Sequence, residues 1–280
     1  MKNLFLLECQ SDITLALVHE SAEKRGIVSH YYNYESLVSD LEGLKNLPIT
    51  EETIVFMAIP FTANSIESQF QPVYEIIREL YSPQKLVNAT MLAQNFLKLE
   101  DKLYQTYLLQ NLDMPHAEVV NIHESTDVDF PIIARKRISS RSKNNFIIPP
   151  ASQDEFAYEA FMGSYDPNLY IFQKFHELEK DFRVYVLGDE VIQVVEREVF
   201  IGSHNKVSVK VKASGELPST VKDESVKIAH EIGADFVGID VGLSKDGTYF
   251  FIEYNGRAQI NAAQNKLGLQ ISDKIVDYLV

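Results

Sequence analysis

The sequence predicts a mixed fold, an α/β N-terminal lobe followed by α+β lobes, and three observations carry that expectation. Short apolar runs alternate with amphipathic stretches over the first third of the chain. A helical periodicity from Thr90 to Asn111 then hands over to short strands, and the last third closes on paired apolar runs around glycine-containing turns.

In the first lobe, Leu4 to Leu7 reads as a buried strand and Asp12 to Arg25 as a helix, with Asp12 as its N-cap and Gly26 just past its end. Ile27 to Tyr32 and Thr53 to Ala58 read as further parallel strands of a βαβαβ unit. The turn Glu8-Cys9-Gln10-Ser11-Asp12 has no glycine, so the dinucleotide fingerprint is missing and this lobe is a poor NAD site.

From Thr90 to Asn111 the residues Leu92, Phe96, Leu99, Leu103, Tyr107 and Leu108 recur at helical spacing until Met114-Pro115 breaks the pattern. Strands are expected at Ala117 to Val120, Pro131 to Arg135 and Phe146 to Ile148, and a helix over Gln153 to Met162. Leu169 to Phe175 follows as a strand, then a hairpin of Asp181 to Leu187 and Val191 to Glu196 around Gly188-Asp189-Glu190. A helix from Val221 to Ile232, capped by Thr220 and ended by Gly233, leads to Phe236 to Val241 and Thr248 to Tyr254 around Asp246-Gly247. The expected divisions are 1–90, 91–170 and 171–280.

Of 280 residues, 45% are hydrophobic and 24% charged, which argues against a wholly disordered or low-complexity chain. The 26 Lys and Arg against 40 Asp and Glu leave a net charge of −14, so nucleic acid and anionic membranes are not expected partners. Cys9 is the single cysteine, which excludes an internal disulfide or a Cys-rich metal site and reads as a buried packing thiol in a reducing compartment. The opening apolar run turns acidic at Glu8 and no run reaches membrane-spanning length, so a cytoplasmic protein is expected, with homo-oligomerisation left open.

If Asp246-Gly247 is a two-residue turn, Val241 faces Ile252 and Asp240 faces Glu253, with Asn255 on the same face and Gly238 opposite it leaving room. Opposed carboxylates repel, so something positive must lie between them. Three oxygen donors without His or Cys favour a hard cation, magnesium before calcium. A slipped register, or Lys or Arg partners for the carboxylates, stands as the alternative. On the metal reading, removing the Glu253 charge should leave the metal-free protein as stable or more stable. Five basic residues crowd the nine from Arg135 to Lys143. Against the acidic whole, that points to an anionic ligand.

Gly238-Ile239-Asp240 followed by Ile252-Glu253-Tyr254-Asn255 resembles the C-terminal metal motif of the ATP-grasp superfamily. Glu100-Asp101-Lys102, Phe130 to Arg135, Ile171 to Phe175, Asp181 to Val184 and Val195 to Arg197 are similar, in order and spacing, to RimK-type glutamate ligases. The resemblance implies an ATP-grasp fold, with a Rossmann-like first domain and two α+β lobes enclosing ATP. It implies an ATP-dependent ligase that joins a small-molecule or peptide carboxylate to an amine through an acyl phosphate, releasing ADP and phosphate. A catalytically impaired ATP-binding regulator or scaffold of the same fold is the other reading.

The resemblance further implies that Asp240, Glu253 and Asn255 hold magnesium, with manganese able to substitute. Lys102, Arg135, Arg141 and Arg183 would bind phosphates. Gln173, Lys174, Phe175 and His176 would present backbone to adenine, with Ile133 and Phe175 as apolar walls, and Asp181 would meet the ribose. Arg197 would serve the reacting phosphates and Arg257 a substrate carboxylate. Salt bridges from Arg183 and Arg197 to Glu196 or Glu198 are the structural alternative. Where the family carries lysine this chain has Arg135, and its loop from Arg137 to Asn145 lacks the family's glycines.

Overall fold

The computed structural model describes residues 2–8, 13–37, 40–58, 67–81, 83–93, 99–122, 131–138, 145–150, 166–202, 207–256 and 258–280, with positions 153, 155, 159 and 163. Cys9, Asp12, Arg141 and Arg257 lie outside the described residues, as do most of the expected helix over Gln153 to Met162 and of the loop from Arg137 to Asn145.

Strands β1 (Asn3–Glu8), β2 (Ser29–Asn33), β3 (Thr53–Ala58) and β4 (Lys85–Leu86) form a parallel sheet in the order β2-β1-β3-β4. All of β3 and five of the six residues of β1 are buried, as expected where both faces of a parallel strand are covered. Helix α1 (Thr14–Lys24) lays Leu15, Val18 and Ala22 on this sheet and ends at Gly26, which adopts φ +70°. Its N-cap residue is Ile13, which makes no side-chain cap bond. The carboxylate of Glu8, fully buried at the end of β1, accepts from Leu15 N–H at 2.9 and 3.0 Å and from Ala16 N–H at 3.1 Å instead. Short helices α2 (Tyr34–Leu37) and α3 (Leu41–Lys45) and the longer α4 (Glu67–Tyr81) follow in this lobe.

The helix expected from Thr90 to Asn111 is not continuous. Helix α5 is Ala89–Ala93, and helix α6 (Lys102–Asn111) starts anew after Asp101, whose extended backbone (φ −70°, ψ 116°) breaks the helical run and whose carboxylate caps α6 through Leu103 N–H at 2.9 Å. Lys102 therefore occupies the first turn of α6.

Two antiparallel sheets follow. The smaller, in the order β6-β5-β7, contains β5 (Ile132–Lys136), β6 (Asn145–Ile148) and β7 (Tyr170–Lys174). The larger, in the order β10-β9-β8-β11-β12, contains β8 (Leu178–Leu187), β9 (Glu190–Ile201), β10 (Val207–Ser214), β11 (Phe236–Ser244) and β12 (Tyr249–Asn255). Helix α7 (Ser219–Glu231) packs on it and ends before Gly233 at φ +67°. Its N-cap is Pro218, so Thr220 lies inside the helix and does not cap it. Helices α8 (Asn261–Leu267) and α9 (Ile271–Leu279) close the chain, and α9 shares one core with α1 and the first sheet. No described helix is long and apolar enough to cross a membrane.

The β11–β12 connection departs from expectation twice. Ser244 N–H donates to Thr248 C=O at 3.0 Å and Gly247 takes φ +86°, so the loop has three residues, Lys245 to Gly247. That shifts the pairing so that Val241 faces Phe251. A bulge at Ile252 shifts it back, and Asp240 faces Glu253 as expected.

Candidate active site

Register alone lines up the first half of the site. Across the large sheet, Arg183 on β8 neighbours Asp240 on β11, which neighbours Glu253 on β12; one step along, Arg197 on β9 neighbours Asp181 on β8. Asn255 sits opposite Gly238, two residues from Glu253 and therefore on the same face. A Cβ on Gly238 would lie 3.0 Å from both Cδ and Nη1 of Arg183, so the missing side chain makes room for the arginine. Arg183 grips Asp240 with two nitrogens, Nη2 at 3.0 Å and Nε closer, while Arg197 binds Asp181 through Nε and reaches Asp240 through Nη2 at 3.1 Å. Glu196, an expected alternative partner for these arginines, is held by Lys212 at 2.8 Å.

The second half arrives from α6 and β5. Arg135 pairs with Glu253 through Nη2, and its Nη1 donates to Ile252 C=O at 3.0 Å and to Gln173 Oε1 at 3.2 Å. Lys102 Nζ stands 3.7 Å from Glu253. The start of α6 is fixed by Arg137, whose guanidinium clasps Asp101 and whose carbonyl accepts from Lys102 N–H at 3.0 Å. Lys102, Arg135, Arg183 and Arg197 thus converge from four elements on Asp181, Asp240 and Glu253, four cations against three anions.

Burial and charge pull the acids apart. Burial alone would raise Glu253, but Lys102, then Arg135, Arg183 and Arg197, hold it down at about 2. Burial dominates at Asp181 and lifts it to about 6 despite Arg197, with Asp240 adding to the rise. Burial also pushes Lys102 below its ordinary value, against the pull of Glu253. Arg197 moves upward under Asp181 and Asp240, which outweigh its burial. The positive surroundings thus act mainly on Glu253, burial on Lys102 and Asp181, and the buried acids on Arg197.

A cavity of about 300 Å³ separates the two antiparallel sheets at this cluster, the lower end of the range for small-molecule sites. Ile133 and Ile147 wall one side, and Val199, Val207, Phe250 and Ile252 the other. Gln173, Lys174, Phe175 and His176 line it. The Gln173 side chain is buried and bonds to Arg135, Thr106 and Ala117, so it orients the arginine. The N–H groups of Lys174 and Phe175 donate to Glu118 and Pro131 carbonyls at 2.9 and 3.2 Å. His176 packs against Phe250 with ring centroids 4.9 Å apart. Asp181 is buried and tied to Arg197. Asn145 and Gln105 were not singled out in the sequence. Asn145 lines the cavity beside Arg135, its Oδ1 buried without a hydrogen-bond partner among the described residues.

The donor set Asp240, Glu253 and Asn255 suits a hard cation, with two carboxylates and an amide on one face. Among the described residues, however, no group of three His, Cys, Asp or Glu side chains is gathered to hold a metal, and the positive charge between Asp240 and Glu253 comes from arginine.

A family model of the RimK-like ATP-grasp domain matches residues 82–279. Alpha-aminoadipate--LysW ligase LysX of Saccharolobus solfataricus is 21% identical over 175 residues, a stretch covering 57% of this chain and 62% of that protein. Among solved structures, the ATP-grasp ligase PsnB complexed with minimal precursor, Mg and ADP superposes at a TM-score of 0.69 with 16% identity, covering 99% of this chain and 96% of that one. The macrocyclase MdnC bound with precursor peptide MdnA, from Microcystis aeruginosa MRC, superposes at 0.63 with 14% identity, covering 99% of both chains.

Proposed function

Because the chain belongs to the RimK-like ATP-grasp family, we propose that it is an ATP-dependent ligase that joins a carboxylate to an amine, with ATP held between the two antiparallel sheets. The observation that carries this reading is the convergence of Lys102, Arg135, Arg183 and Arg197 at one cavity of a chain whose net charge is −14. Asp181, Asp240 and Glu253 answer three of these four cations, and the surplus positive charge at a cavity of an acidic chain suits an anionic ligand. Arg135 and Arg183 offer planar forks to phosphate oxygens, and Lys102 a point charge.

The apolar walls from Ile133 to Phe250 suit adenine. With Lys174 and Phe175 N–H already used, its edge would be read by the carbonyls of this segment and by His176. Asp240, Glu253 and Asn255 would hold magnesium, which would supply counter-charge for the phosphates. The substrate carboxylate would take the γ-phosphoryl group, and an amine would displace phosphate from the resulting acyl phosphate. The two structural neighbours named above are complexes with precursors, which favours a peptide or amino-acid substrate here. Arg257, Gln259 and Asn261, just beyond the metal strand, are the proposed contacts for it.

Release of ADP and phosphate from ATP and magnesium, dependent on a carboxylate and an amine drawn from a peptide and amino-acid panel, tests the reading. Tight nucleotide binding with no turnover on any pair would favour the regulator or scaffold. No nucleotide binding at all would end both.

A further inference from the structure

Strand β12 is the last of its sheet, and among the described residues its outer edge meets no further strand, only an isolated bridge from His116 to Phe251. Exposed edges demand some other partner for their N–H and C=O groups. Here Phe251 N–H donates to Pro115 C=O at 2.7 Å and Ile252 C=O accepts from Arg135. At Tyr254 the partner is a side chain: Gln105 Nε2 donates to Tyr254 C=O at 2.9 Å, and Tyr254 N–H donates to Gln105 Oε1 at 3.4 Å. Gln105 Nε2 also donates to Leu99 C=O at 3.0 Å, and the residue is 3% exposed. One buried amide therefore stands in for a strand.

Its location gives that bond a purpose. Tyr254 lies between Glu253 and Asn255, and its side chain points away from theirs. Gln105 lies one helical turn beyond Lys102, on the same face of α6. Helix α6 carries Lys102 and β12 carries Glu253, and the 3.7 Å between those charges depends on how the helix docks on the strand. We propose that Gln105 is a positioning residue that fixes Lys102 against the Glu253–Asn255 strand. The purpose of that alignment rests on the ligase reading, but its test does not.

A second buried amide supplies the control. Asn88 makes the same paired bonds to Phe236, Nδ2 to C=O at 3.0 Å and Oδ1 from N–H at 2.8 Å, at the start of β11 and away from Lys102. Asn88 has φ +61°, so Asn88→Gly removes the amide without backbone strain. Lysine acylation in the ligand-free full chain, followed residue by residue by mass spectrometry, reads how often Lys102 escapes its buried position.

Compared at equal distance below their melting temperatures, Gln105→Met should raise Lys102 labelling about tenfold through local release of α6, while Asn88→Gly leaves it within about twofold of the parent. Gln105→Glu, which when ionised keeps an acceptor for Tyr254 N–H but has no donor, should also raise it at neutral pH and serves if the Met variant does not fold. Lys102 labelling in the Gln105 variants no greater than in Asn88→Gly would make Gln105 a packing residue and overturn the proposal. Failure of the parent protein to bind nucleotide would remove the ligase reading and leave this comparison standing.

Discussion

Asp240 and Glu253 face each other across β11 and β12, yet each is held by its own arginine, Arg183 on Asp240 and Arg135 on Glu253. The repulsion expected between them is therefore already met, and removing the Glu253 charge should have the opposite effect from the one the sequence suggested. Glu253→Gln leaves Arg135 and Lys102 buried without their shared anion, which should cost about 3 kcal/mol of metal-free stability. Urea unfolding in the presence of a chelator measures it. A variant as stable as the parent would mean that the two cations find another anion.

The two acids give opposite pH signatures. Glu253, held at about 2 against an ordinary 4.5, contributes stability that is present above pH 4.5 and lost as pH falls toward 2. Asp181, raised to about 6 from 3.8, binds its proton more tightly folded than unfolded, so stability falls as pH rises from 3.8 to 6. Asp181→Asn should flatten the decline between pH 4 and 6 and leave the acid limb in place. Unfolding free energies of parent and variant, measured at intervals across both windows, check this. Parallel curves from pH 4 to 6 would show that Asp181 is ionised throughout.

In the first lobe, the helix start that a dinucleotide would use is taken by the chain itself. Glu8 supplies a carboxylate to Leu15 and Ala16 N–H groups at the positive end of α1. Glu8→Gln keeps the shape but loses the charge, and should destabilise the protein by about 2 kcal/mol, more than an exposed cap would. Chemical denaturation followed by circular dichroism reads the difference. A change under a few tenths of a kcal/mol would mean that the helix start is satisfied by other groups.

Much of this architecture was legible because local signals govern it: apolar runs for β1 and β3, glycines after α1 and α7, and the order from α7 through β11 to β12. The pairing of Asp240 with Glu253 was legible for an incomplete reason. The three-residue loop at Lys245 to Gly247 displaces the register by one residue and the bulge at Ile252 restores it, so two unseen departures cancel.

Strand β10 was missed although Val207, Val209 and Val211 alternate with Ser208, Lys210 and Lys212 at the period of a half-buried strand. The break at Asp101 was hidden because apolar spacing continues across it, and only the capping carboxylate marks it. Which arginine meets which carboxylate could not be read at all. Arg135, Arg183 and Arg197 reach the site through pairings between distant segments, and Gln105 acts through a backbone that bears no side-chain signal.

The last expectation concerns how metal and nucleotide enter. Every carboxylate of the proposed metal set is engaged by guanidinium, and the seven charges sum to a single positive surplus. A divalent ion arriving alone must displace Arg183 and Arg135 into a buried site with no anion to receive them, which is costly. A triphosphate arriving alone would draw the same arginines away and leave Asp240 and Glu253 without the guanidiniums of Arg183 and Arg135. Arriving together they would exchange partners: phosphate oxygens would take the guanidiniums and leave Asp240 and Glu253 to hold the metal.

Binding should therefore be strongly coupled, each ligand tightening the other by about tenfold or more, roughly 1.4 kcal/mol or above. Manganese titrations read by electron paramagnetic resonance, with and without a non-hydrolysable ATP analogue, give one side of the cycle; calorimetric titration of the analogue with and without manganese gives the other. The two factors must agree. Replacing Arg135 by Met should remove the guanidinium from Glu253 in advance and leave only Lys102 beside it, so manganese alone should bind this variant more tightly than it binds the parent even as the nucleotide binds more weakly. Manganese affinity in the parent that is the same with and without the analogue would rule the exchange out.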